Sequence, residues 1–451
     1  MYDPLLLPEL REMLLENDAT AMREFCEVFH PAAIAETLEA LSNEEIWRVL
    51  SQSPLRRQVE IFEYFSLPRQ TELVACLDKP HLSALVEVMS PDDRVDLLKN
   101  LDQEKVELLL PLVAQAERSD IRRLLSYPEH SAGSIMTTEY ASLPEELTAR
   151  EALDQLRHQA PNRETIYYLY VLDDNRRLRG FVSLRKLILA RPDTKVAEIM
   201  DRDVISVRVD EDQEVAANLI ARYDFIAMPV VDEQGRLVGI ITHDDVLDVL
   251  QAEATEDVHR LGGVEPLQDA YLSTPFLTLA WKRGIWLILL LVAGVGTAEV
   301  LEHFDETTKR FAWLVRFLPL VLASGGNAGS QSATLVIRAL SLGEMGRSIQ
   351  YRILRREAAT GLVLGSVMAL LAFCFALLDG PVLHASVLAC SVALVVTLGT
   401  VNGTLLPMLL RGLGFDPAIM SNPLIASLSD TLGVLIYYNI ALLALTRLFS
   451  P

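Results

Sequence analysis

Cysteine is scarce in this chain, which has only Cys26, Cys76, Cys374 and Cys390 among its 451 residues. The four are widely separated, without the spacing of metal ligands, so we expect reduced, buried side chains rather than a metal site. The first residues, MYDPLLLPEL, lack the basic region and the cleavage site of a signal peptide. The charged part of the chain is therefore expected to stay in the cytosol.

Positive charge is also in short supply. The chain has 40 Lys and Arg against 61 Asp and Glu, a formal net charge of −21. Charged residues fill about the first 280 positions, whereas about the last 170 are mostly Leu, Val, Ala and Gly. Such an acidic surface disfavours nucleic acid as a partner and favours cations. The length allows two or three domains.

Glycine is almost absent from residues 1–130, where apolar residues recur at helical spacing. Ser42, Ser66 and Ser90 follow one another at intervals of 24 residues, and each is placed to N-cap a helix. Glu45 completes a capping box at the first. Repeated short helices predict an all-α superhelical domain. Three of its acidic residues form, by default, a solvated face: Glu60, Asp92 and Asp96.

Residues 131–250 contain a module that occurs twice. Ile135-Met136 opens the first copy and Ile199-Met200 opens the second, 64 residues later. Each copy continues with a helix, two alternating strands around a polar turn, and another helix. The predicted hairpins pair Tyr167–Leu172 with Gly180–Ser183, and Ala227–Val231 with Leu237–Thr242.

The two copies resemble tandem cystathionine-β-synthase (CBS) domains through IMDRDVISV, MPVVDEQGRLVGIIT and the step Thr242-His-Asp-Asp245. CBS pairs have an α/β fold and often bind adenosine nucleotides such as ATP between the copies. The resemblance implies that Thr242 and Asp245 hold the ribose. The first copy has Ser183-Leu-Arg-Lys186 instead and lacks that carboxylate. The resemblance adds three lining residues: Arg185, Phe225 and Pro229. A purely structural CBS pair is the alternative.

Acidic residues crowd the second copy. They are Asp210, Glu211, Asp212, Glu214, Asp224, Asp244, Asp245 and Asp248. Asp245 and Asp248 share one helix face by their i, i+3 spacing. Adjacent carboxylates repel one another unless a hard cation bridges them, and Mg²⁺ suits such oxygen ligands. A solvated acidic face is the alternative.

Residues 251–283 connect this module to the apolar part of the chain. Ala252–Leu261 suits a helix that ends at Gly262-Gly263, and it would carry Glu256 and Asp257 close to the membrane surface. The stretch Ser273–Arg283 fits the cytoplasmic interface of a membrane.

Residues 284–451 contain about five stretches long enough to cross a membrane as helices. These are 284–303, 311–337, 358–379, 384–410 and 422–447. Basic residues mark the ends that we expect to be cytoplasmic: Lys282, Arg283, Arg347, Arg352, Arg355, Arg356 and Arg411. The N-terminus is then cytosolic and the C-terminus lies outside.

The last of these stretches, Ser421–Tyr438, is almost wholly apolar yet carries Asp430. Asn422 is a natural N-cap, and Pro423 suits the first turn of a helix. Asp430 would lie about 12 Å into that helix, near the middle of a hydrocarbon core about 30 Å thick. A carboxylate there costs about 2.5–3.5 kcal/mol. It is expected to face a cavity, a partner charge or an ion path. A structural pairing with a neighbouring helix is the alternative.

A polar run, Ser324–Gln331, follows Pro319 in the second stretch. Glycines and polar side chains at that depth predict a loosened helix with exposed carbonyls, which is tolerated only inside protein or along a wet cavity. Close packing by small residues is the alternative, but the carboxamides favour a pore or a binding site. The candidate lining residues are Gly325, Gly326, Asn327 and Gln331. The fourth stretch carries a weaker version of this signal in Asn402, Gly403 and Pro407.

Three segments together resemble the MgtE family of magnesium channels and transporters. They are SGGNAGSQSATLVIRALSLGE (324–344), FDPAIMSNPLIASLSDTLGVLIYY (415–438) and AEATEDVHRLG (252–262). The implied architecture is a multidomain membrane protein that accounts for nearly the whole chain. Its parts are an all-α superhelical domain (1–130), an α/β tandem CBS pair (131–250), a connector or plug helix (251–283) and an all-α transmembrane domain of five helices (284–451).

The resemblance implies a homodimer in the cytoplasmic (inner) membrane with one central Mg²⁺ pore, closed by its cytosolic domains when intracellular Mg²⁺ is plentiful. Asp430 becomes the ion-selecting carboxylate. The path would also be lined by Asn422, Ala426 and Asn327. Gating ions would be held by Glu256 and Asp257. Sensor sites would lie between Glu60, Asp92 and Asp96 on one side and Asp212, Glu214, Asp224, Asp245 and Asp248 on the other. Asp305 replaces a Glu found in other members and receives no role.

Two other functions are considered. One is a channel or carrier for another ion, such as Co²⁺ or Ni²⁺; an anion path would need basic or helix N-terminal lining, which Asp430 opposes. The other is a membrane-anchored nucleotide sensor that transports nothing. The membrane part has no nucleophile–base pair, no HExxH and no phosphate loop, so an enzyme is not predicted.

Overall fold

The computed structural model describes residues 6–101, 106–107, 110–113, 115–267, 271–272, 274–341, 349–378 and 380–449. The chain divides into two compact units, Met1–Gln251 and Ala252–Pro451. Short helices and two small sheets make up the first unit, and long helices make up the second. Ser273 and Arg347, which served above as interface and orientation markers, lie outside the described residues.

Short helices joined by tight turns form the N-terminal part of the first unit, as predicted. Their bounds are Leu6–Glu16 (α1), Ala19–Val28 (α2), Pro31–Leu38 (α3), Asn43–Leu50 (α4), Leu55–Phe62 (α5), Leu67–Ala75 (α6), Lys79–Val88 (α7), Pro91–Lys99 (α8) and Gln115–Leu125 (α9). The capping box of Ser42 and Glu45 at α4 is confirmed. Ser66 and Ser90 occupy N-cap positions but make no cap hydrogen bond. The Ser90 hydroxyl instead donates to Asp93 Oδ2 at 2.9 Å.

Two three-stranded sheets follow. The first contains Tyr140–Leu143 (β1), Thr165–Leu172 (β2) and Leu178–Ser183 (β3), and the second contains Val207–Arg208 (β4), Ala227–Val231 (β5) and Leu237–Thr242 (β6). Both predicted hairpins are confirmed, as β2–β3 and β5–β6. The parallel strands β1 and β4 were not predicted, because they are too short to show an alternating pattern. The helices of this module are Ala149–Gln159 (α10), Leu184–Leu189 (α11), Val196–Ile199 (α12) and Gln213–Tyr223 (α13).

The parts of the first unit pack together through shared hydrogen bonds and a shared core. The backbones of Thr137 and Ile240, one from each copy, exchange hydrogen bonds of 2.8 and 2.9 Å. Val95 of α8 and Leu124 of α9 belong to the apolar cluster of the second copy, which also contains Val246. Burying side chains of this size typically contributes about 1.5–3 kcal/mol each. This cluster holds the acidic helix α8 against the second copy.

His243–Leu261 (α14) begins directly after β6. It passes without interruption through residue 251, where the sequence placed the start of the connector. It ends before Gly262-Gly263 as predicted, and Gly263 has a φ of +68°, a left-handed conformation that glycine adopts readily.

Five long helices make up most of the second unit as far as it is described. They are Phe276–His303 (α15), Trp313–Ser341 (α17), Gln350–Leu377 (α18), Val382–Gly412 (α19) and Asn422–Phe449 (α20), with the short helix Asp305–Arg310 (α16) after the first. Four of them, α15, α18, α19 and α20, are long and apolar enough to cross a membrane. The polar run Ser324–Gln331 lowers the hydropathy of α17. The count of five spans therefore stays a prediction.

The predicted loosening of α17 is wrong. The helix continues without a break through Pro319 and through Ser324–Gln331. Its glycines instead allow α19 to approach closely. A Cβ on Gly399 would lie 2.5 Å from the Gly325 carbonyl oxygen, and a Cβ on Gly403 would lie 2.1 Å from the Gly329 carbonyl oxygen. Close packing by small residues, the alternative considered above, accounts for Gly325.

Two smaller expectations are also corrected. The helix α20 begins at Asn422, so the N-cap position belongs to Ser421, whose Oγ accepts from the Leu424 N–H at 3.4 Å. Pro423 lies in the first turn as predicted. Of the cysteines, only Cys26 is buried; the others, Cys76, Cys374 and Cys390, are exposed because they lie on outer faces or at ends of helices.

The contact between α17 and α19 predicts that Gly403→Ala destabilises the protein, because the new methyl group would overlap the Gly329 carbonyl oxygen. We expect a loss of about 1–3 kcal/mol, measured as a lower melting temperature of the detergent-solubilised protein. Gly412→Ala is the matched control in the same helix, since nothing lies within 4 Å of its Cβ position. It should leave the melting temperature unchanged or raise it slightly. Equal melting of the two variants would contradict the close approach.

Candidate ion path and cation-sensing carboxylates

Asp430 lies against the glycine-bearing face of α17. A Cβ on Gly326 would lie 3.4 Å from Asp430 Oδ1 and 3.3 Å from Ala426 Cβ, so the carboxylate lies directly beside this glycine. Asp430 is half-buried. Among the described residues, no side chain forms an ion pair or hydrogen bond with it. A carboxylate in a membrane helix without a partner must obtain its stabilisation from water, from an ion or from another chain.

Asn422 lies two turns before Asp430 in α20, where it binds hydroxyl groups of α17. Its carbonyl oxygen accepts from Ser330 Oγ at 3.1 Å, and its Oδ1 accepts from Thr334 Oγ1 at 3.3 Å. Sequence reasoning did not identify these two hydroxyls. A signal was present, because Gly326, Ser330 and Thr334 recur every four residues and therefore share one face of α17.

Asn327 and Gln331 are exposed and lie next to that face around the helix. They belong to a single exposed stripe of α17: Pro319, Ala323, Asn327, Gln331, Thr334 and Arg338. Carboxamides and hydroxyls on a membrane helix require water or protein rather than lipid tails. Gly325 is on another side of α17, where its Cβ would lie 2.5 Å from Val395 Cγ1. The structure thus brings together Asp430, Ala426, Gly326 and Asn422, but not Gly325.

The connector end of α14 packs beside the start of α20. Leu261 joins an apolar cluster with Ile337 and Ile425, and a Cβ on Gly263 would lie 3.4 Å from Pro423. Both predicted gating carboxylates are engaged here. Glu256 pairs with Arg260, which also pairs with Asp416, and Asp257 accepts from Ser341 Oγ at 2.9 Å. The Arg260–Asp416 pair was not predicted, because nothing in the local sequence connects residues so far apart.

In the first unit, the packing of α8 on the second CBS copy brings acidic residues together. Asp92 and Asp93 on α8 are close enough to Asp245 on α14 for their charges to raise its pKa. Glu63, after α5, joins this acidic cluster through its Oε1, which accepts from the Ser90 N–H at 3.1 Å. The Asp92 Oδ1 atom is buried and, within the described part of the chain, has no hydrogen-bond partner. The solvated face expected by default is therefore wrong for Asp92.

The acidic cluster is under electrostatic strain. Burial, followed by the charge of Asp93, raises the pKa of Glu63 to about 8. Burial, followed by the charge of Asp92, raises the pKa of Asp245 to about 8 and that of Asp93 to about 7. Burial also raises the pKa of Asp92. Like charges in a desolvated site favour protonation, or a cation that takes the place of the protons.

The other predicted sensor residues lie in different settings. Glu60 pairs with Arg57 at 2.9 Å, and Asp96 lies 4.0 Å from Lys99. Asp212 caps α13 by accepting from the Glu214 N–H at 2.8 Å, and Asp224 ends that helix with a φ of +54°. Asp248 is exposed. In the residues that the structure describes, no three His, Cys, Asp or Glu side chains form a preformed metal site. Sequence reasoning missed Glu63, which belongs to no motif, and Asp93, which it placed only in the Ser90 repeat.

An aromatic cleft lies between the two CBS copies. The cleft is narrow, with a cavity volume of about 20 Å³. Its walls are Tyr168, Tyr170, Phe181, Val204, Ile205, Phe225, Ala227 and Pro229. Phe225 and Pro229 thus line it as expected, whereas the exposed Arg185 does not. Thr242 Oγ1 donates to Asp245 Oδ2 at 2.6 Å, so the two residues assigned to the ribose contact each other.

Glu63→Gln tests the strain in the acidic cluster. The pKa of Glu63 is about 8 in the folded protein and about 4.3 in an unfolded chain. Between these pH values the folded protein therefore binds more protons than the unfolded chain. The free energy of unfolding therefore falls as the pH rises through this window. Glutamine cannot ionise. In EDTA, the variant should be more stable than the wild type by about 1–2 kcal/mol at pH 8.5 and equally stable at pH 5, as measured by thermal unfolding.

The matched control is Glu151→Gln. The Thr148 backbone N–H and hydroxyl bond to this exposed carboxylate and lower the pKa of Glu151, so its removal should bring no gain at pH 8.5. If Glu63→Gln raised the free energy of unfolding equally at pH 5 and pH 8.5, the raised pKa of Glu63 would be contradicted.

Three family profiles match the chain. The family described as divalent cation transporter matches residues 318–440, the MgtE intracellular N domain matches 29–130, and the CBS domain matches 132–193 and 196–252. The cytosolic domain of the Mg²⁺ channel MgtE in complex with ATP superposes with a TM-score of 0.52 at 42% identity, covering 54% of this chain and 99% of that one. The soluble part of a magnesium transporter gives 0.53 at 34% identity, covering 55% and 98%.

Full-length relatives are similar over almost the whole chain. The magnesium transporter MgtE of Thermus thermophilus is 41% identical over 443 residues, which is 98% of each chain. That of Bacillus subtilis is 34% identical over 453 residues, which is 98% of this chain and 97% of the relative. The helical domain, the CBS pair and the membrane helices therefore occur here in the same order as in these proteins, and the chain belongs to the MgtE family of divalent cation transporters.

Proposed function

We propose that this protein carries Mg²⁺ across the cytoplasmic membrane, along a path between α17 and α20 in which Asp430 selects the ion. The observation that carries the proposal is the setting of Asp430, a half-buried carboxylate on an apolar helix, fitted against Gly326 and without a protein partner among the described residues. The naming of full-length relatives as magnesium transporters agrees with it.

The groups along this path suit a hydrated hard cation. Asp430 offers carboxylate oxygens, Asn422 and Asn327 offer amide oxygens, and Ser330 and Thr334 offer hydroxyls that already orient Asn422. Mg²⁺ takes oxygen ligands and keeps most of its waters, and these waters can donate hydrogen bonds to the oxygen atoms of such groups. Co²⁺ and Ni²⁺ bind more strongly to imidazole or sulfur ligands, and neither type is part of the proposed path.

The exposed polar stripe of α17 supports a homodimer. Asn327 and Gln331 would be placed against lipid in a single chain, which is unfavourable. A second copy related by a two-fold axis would bury the two stripes against each other and line a shared wet path. Two Asp430 carboxylates would then approach the same ion, and their mutual repulsion would favour a divalent over a monovalent cation.

We further infer that cytosolic Mg²⁺ closes the path. The acidic cluster around Asp92 and Asp245 is packed but strained, so a cation bound there stabilises the packed state relative to a separated one. Hydrated Mg²⁺ suits a cluster without a preformed three-ligand site, because its waters can bridge to carboxylates. The connector carboxylates Glu256 and Asp257 would bind further ions at the pore mouth. A protease sensitivity of the cytosolic part that Mg²⁺ leaves unchanged would exclude this feedback.

The aromatic cleft is proposed to bind an adenosine nucleotide such as ATP. The rings of Phe181 and Phe225 offer a flat base stacking surfaces. Thr242 and Asp245 lie outside the walls of the cleft and would provide the hydroxyl and carboxylate that a ribose requires. A related cytosolic domain was solved in complex with ATP. Arg185 is not part of this proposal, because no described contact joins it to the cleft or to this pair.

The orientation proposed is a cytosolic N-terminus and an external C-terminus. Arg338, Arg352, Arg355, Arg356 and Arg411 gather at ends of α17, α18 and α19 that would share the cytoplasmic side. The Arg411 side chain donates to the Leu340 carbonyl oxygen at 2.7 Å, which joins two of these ends directly.

Asp430→Ala should abolish transport while leaving the fold intact, since the carboxylate forms no hydrogen bond or ion pair with any side chain that the structure describes. Uptake of Mg²⁺ into proteoliposomes, followed with a trapped Mg²⁺-sensitive dye, is expected to fall at least tenfold. Asp305→Ala is the control, because this exposed acidic residue pairs only with Lys309 on its own helix and should leave uptake unchanged. Unchanged uptake in Asp430→Ala would move the path elsewhere. No uptake in any of the proteins would favour the membrane-anchored nucleotide sensor.

Phe225→Ala should weaken ATP binding about tenfold, because the cleft loses one aromatic wall. Equilibrium binding of a fluorescent ATP analogue to the full-length protein measures this. Arg185→Ala is the matched control and should bind as the wild type does. A loss confined to Arg185→Ala would place the nucleotide outside the cleft.

A further inference from the structure

The first two turns of α18 carry a concentrated positive patch. Arg352, Arg355 and Arg356 are exposed and, with Tyr351, line an open recess on the surface of the helix. The Arg355 guanidinium carbon lies 6.0 Å from the centre of the Tyr351 ring, a cation–π distance. We call these four residues the arginine recess. It belongs to none of the sites described above.

The arginine recess has no acidic partner among the described residues. No carboxylate lies within ion-pair distance of its three guanidinium groups. The nearest acid along α18, Glu357, is already engaged, because its Oε2 accepts from Ser332 Oγ of α17 at 2.8 Å. Three adjacent arginines repel one another. The chain has a net charge of −21, yet no described carboxylate pairs with these arginines. This indicates that an anion from outside the protein fits there.

The position of the recess identifies the source of that anion. The span-forming helix Gln350–Leu377 begins at the recess, so its arginines lie at a membrane interface. The same helix contacts α19 along one narrow line that includes Gly361, Gly365, Ala372 and Ala376. Most of its other side chains are exposed, including Leu362, Val363 and Val367. An apolar surface suited to acyl chains therefore starts about 9 Å along the axis from the arginines.

We propose that the arginine recess binds the phosphodiester headgroup of an anionic phospholipid of the cytoplasmic leaflet. Guanidinium groups recognise phosphate oxygens in a bidentate way, and basic pockets beside membrane helices on the cytoplasmic side suit such headgroups. Tyr351, which is 71% exposed, is placed like the aromatic residues that mark membrane interfaces. The lipid tails lie along the exposed Leu and Val side chains of α18.

A bound lipid here would act on the proposed ion path through one hydrogen bond. Arg356 precedes Glu357, and Glu357 holds Ser332 on the helix that carries Asn327 and Gln331. A headgroup that fixes the first turns of α18 therefore also restrains α17. This consequence and the cytoplasmic side of the lipid rest on the proposed function, whereas the binding of an anionic headgroup to the arginines does not.

The test is the binding of phosphatidylglycerol by the full-length protein. A fluorescent phosphatidylglycerol, and in parallel the same label on phosphatidylcholine, is titrated into the detergent-solubilised protein. The wild type should prefer phosphatidylglycerol. Arg352→Gln with Arg356→Gln should weaken its binding roughly 30-fold, since each basic side chain near a membrane surface contributes about 1 kcal/mol, or about fivefold. The lysine pair Arg352→Lys with Arg356→Lys keeps the charge but not the fork geometry and should lose less.

The matched control is Arg310→Gln with Arg316→Gln, which removes two arginines that also stack on aromatic rings, at 5.3 and 5.8 Å, near the other end of the helices. It should bind phosphatidylglycerol as the wild type does. Equal binding of the two lipids, or an equal loss in the control, would overturn the proposal. So would displacement by millimolar inorganic phosphate, which would indicate a site for a free anion. If the glutamine pair does not fold, the lysine pair decides. The proposal would be overturned if the lysine pair bound phosphatidylglycerol as tightly as the wild type and bound phosphatidylcholine equally well.

Discussion

Negative charge without a positive partner is the constraint on which both halves of this protein depend. In the membrane part it is the carboxylate of Asp430, which lies on an apolar helix beside a glycine and has no ion-pair partner among the described residues. In the first unit it is a cluster in which burial and neighbouring charges raise the pKa values of Glu63, Asp93 and Asp245. Neither arrangement is stable by its own contacts. A small, hard cation would stabilise each, and under the proposed function one ion then serves as the transported species and as the signal.

The two arrangements differ in the help they receive from packing. The acidic cluster is assembled by apolar contacts, because Val95 of α8 is buried with Val246 of α14 and carries the acidic residues along. Hydrophobic burial there favours the packed arrangement and charge repulsion opposes it. An ion that reduces the repulsion would shift the equilibrium toward the packed arrangement. Asp430 has only a local fit, in which Gly326 leaves space for it. Its surroundings must therefore be completed by water, by the ion or by a second copy.

Local patterns in the sequence predicted much of the fold. The hairpins, the capping box of Ser42 and the glycine end of α14 depend on neighbouring residues and were found where expected. The continuity of α17 could not be predicted in this way. Its glycines fit a loosened helix and a tightly packed one equally well, and the choice depends on Gly399 and Gly403, some seventy residues away.

The candidate site residues were likewise predicted where they belong to a local motif and missed where they depend on tertiary contacts. The resemblance pointed to Asp430, Ala426 and Asn422, which lie on one helix and share a motif. It gave no sign of Glu63, which belongs to no motif, or of Asp93, which lies in the Ser90 repeat; both gain their unusual pKa values from packing. Arg185 was assigned by position in a motif, but its side chain is exposed and is not among the residues that line the cleft. A motif thus identifies residue types well, whereas the direction of a side chain depends on the tertiary fold.

The backbone contact between α17 and α19 also determines where current cannot flow. With Gly399 and Gly403 against the carbonyl oxygens of Gly325 and Gly329, the seam between these helices is too narrow to hold a column of water. At the level of these glycines, tight backbone packing therefore leaves no space for water or ions between the two helices.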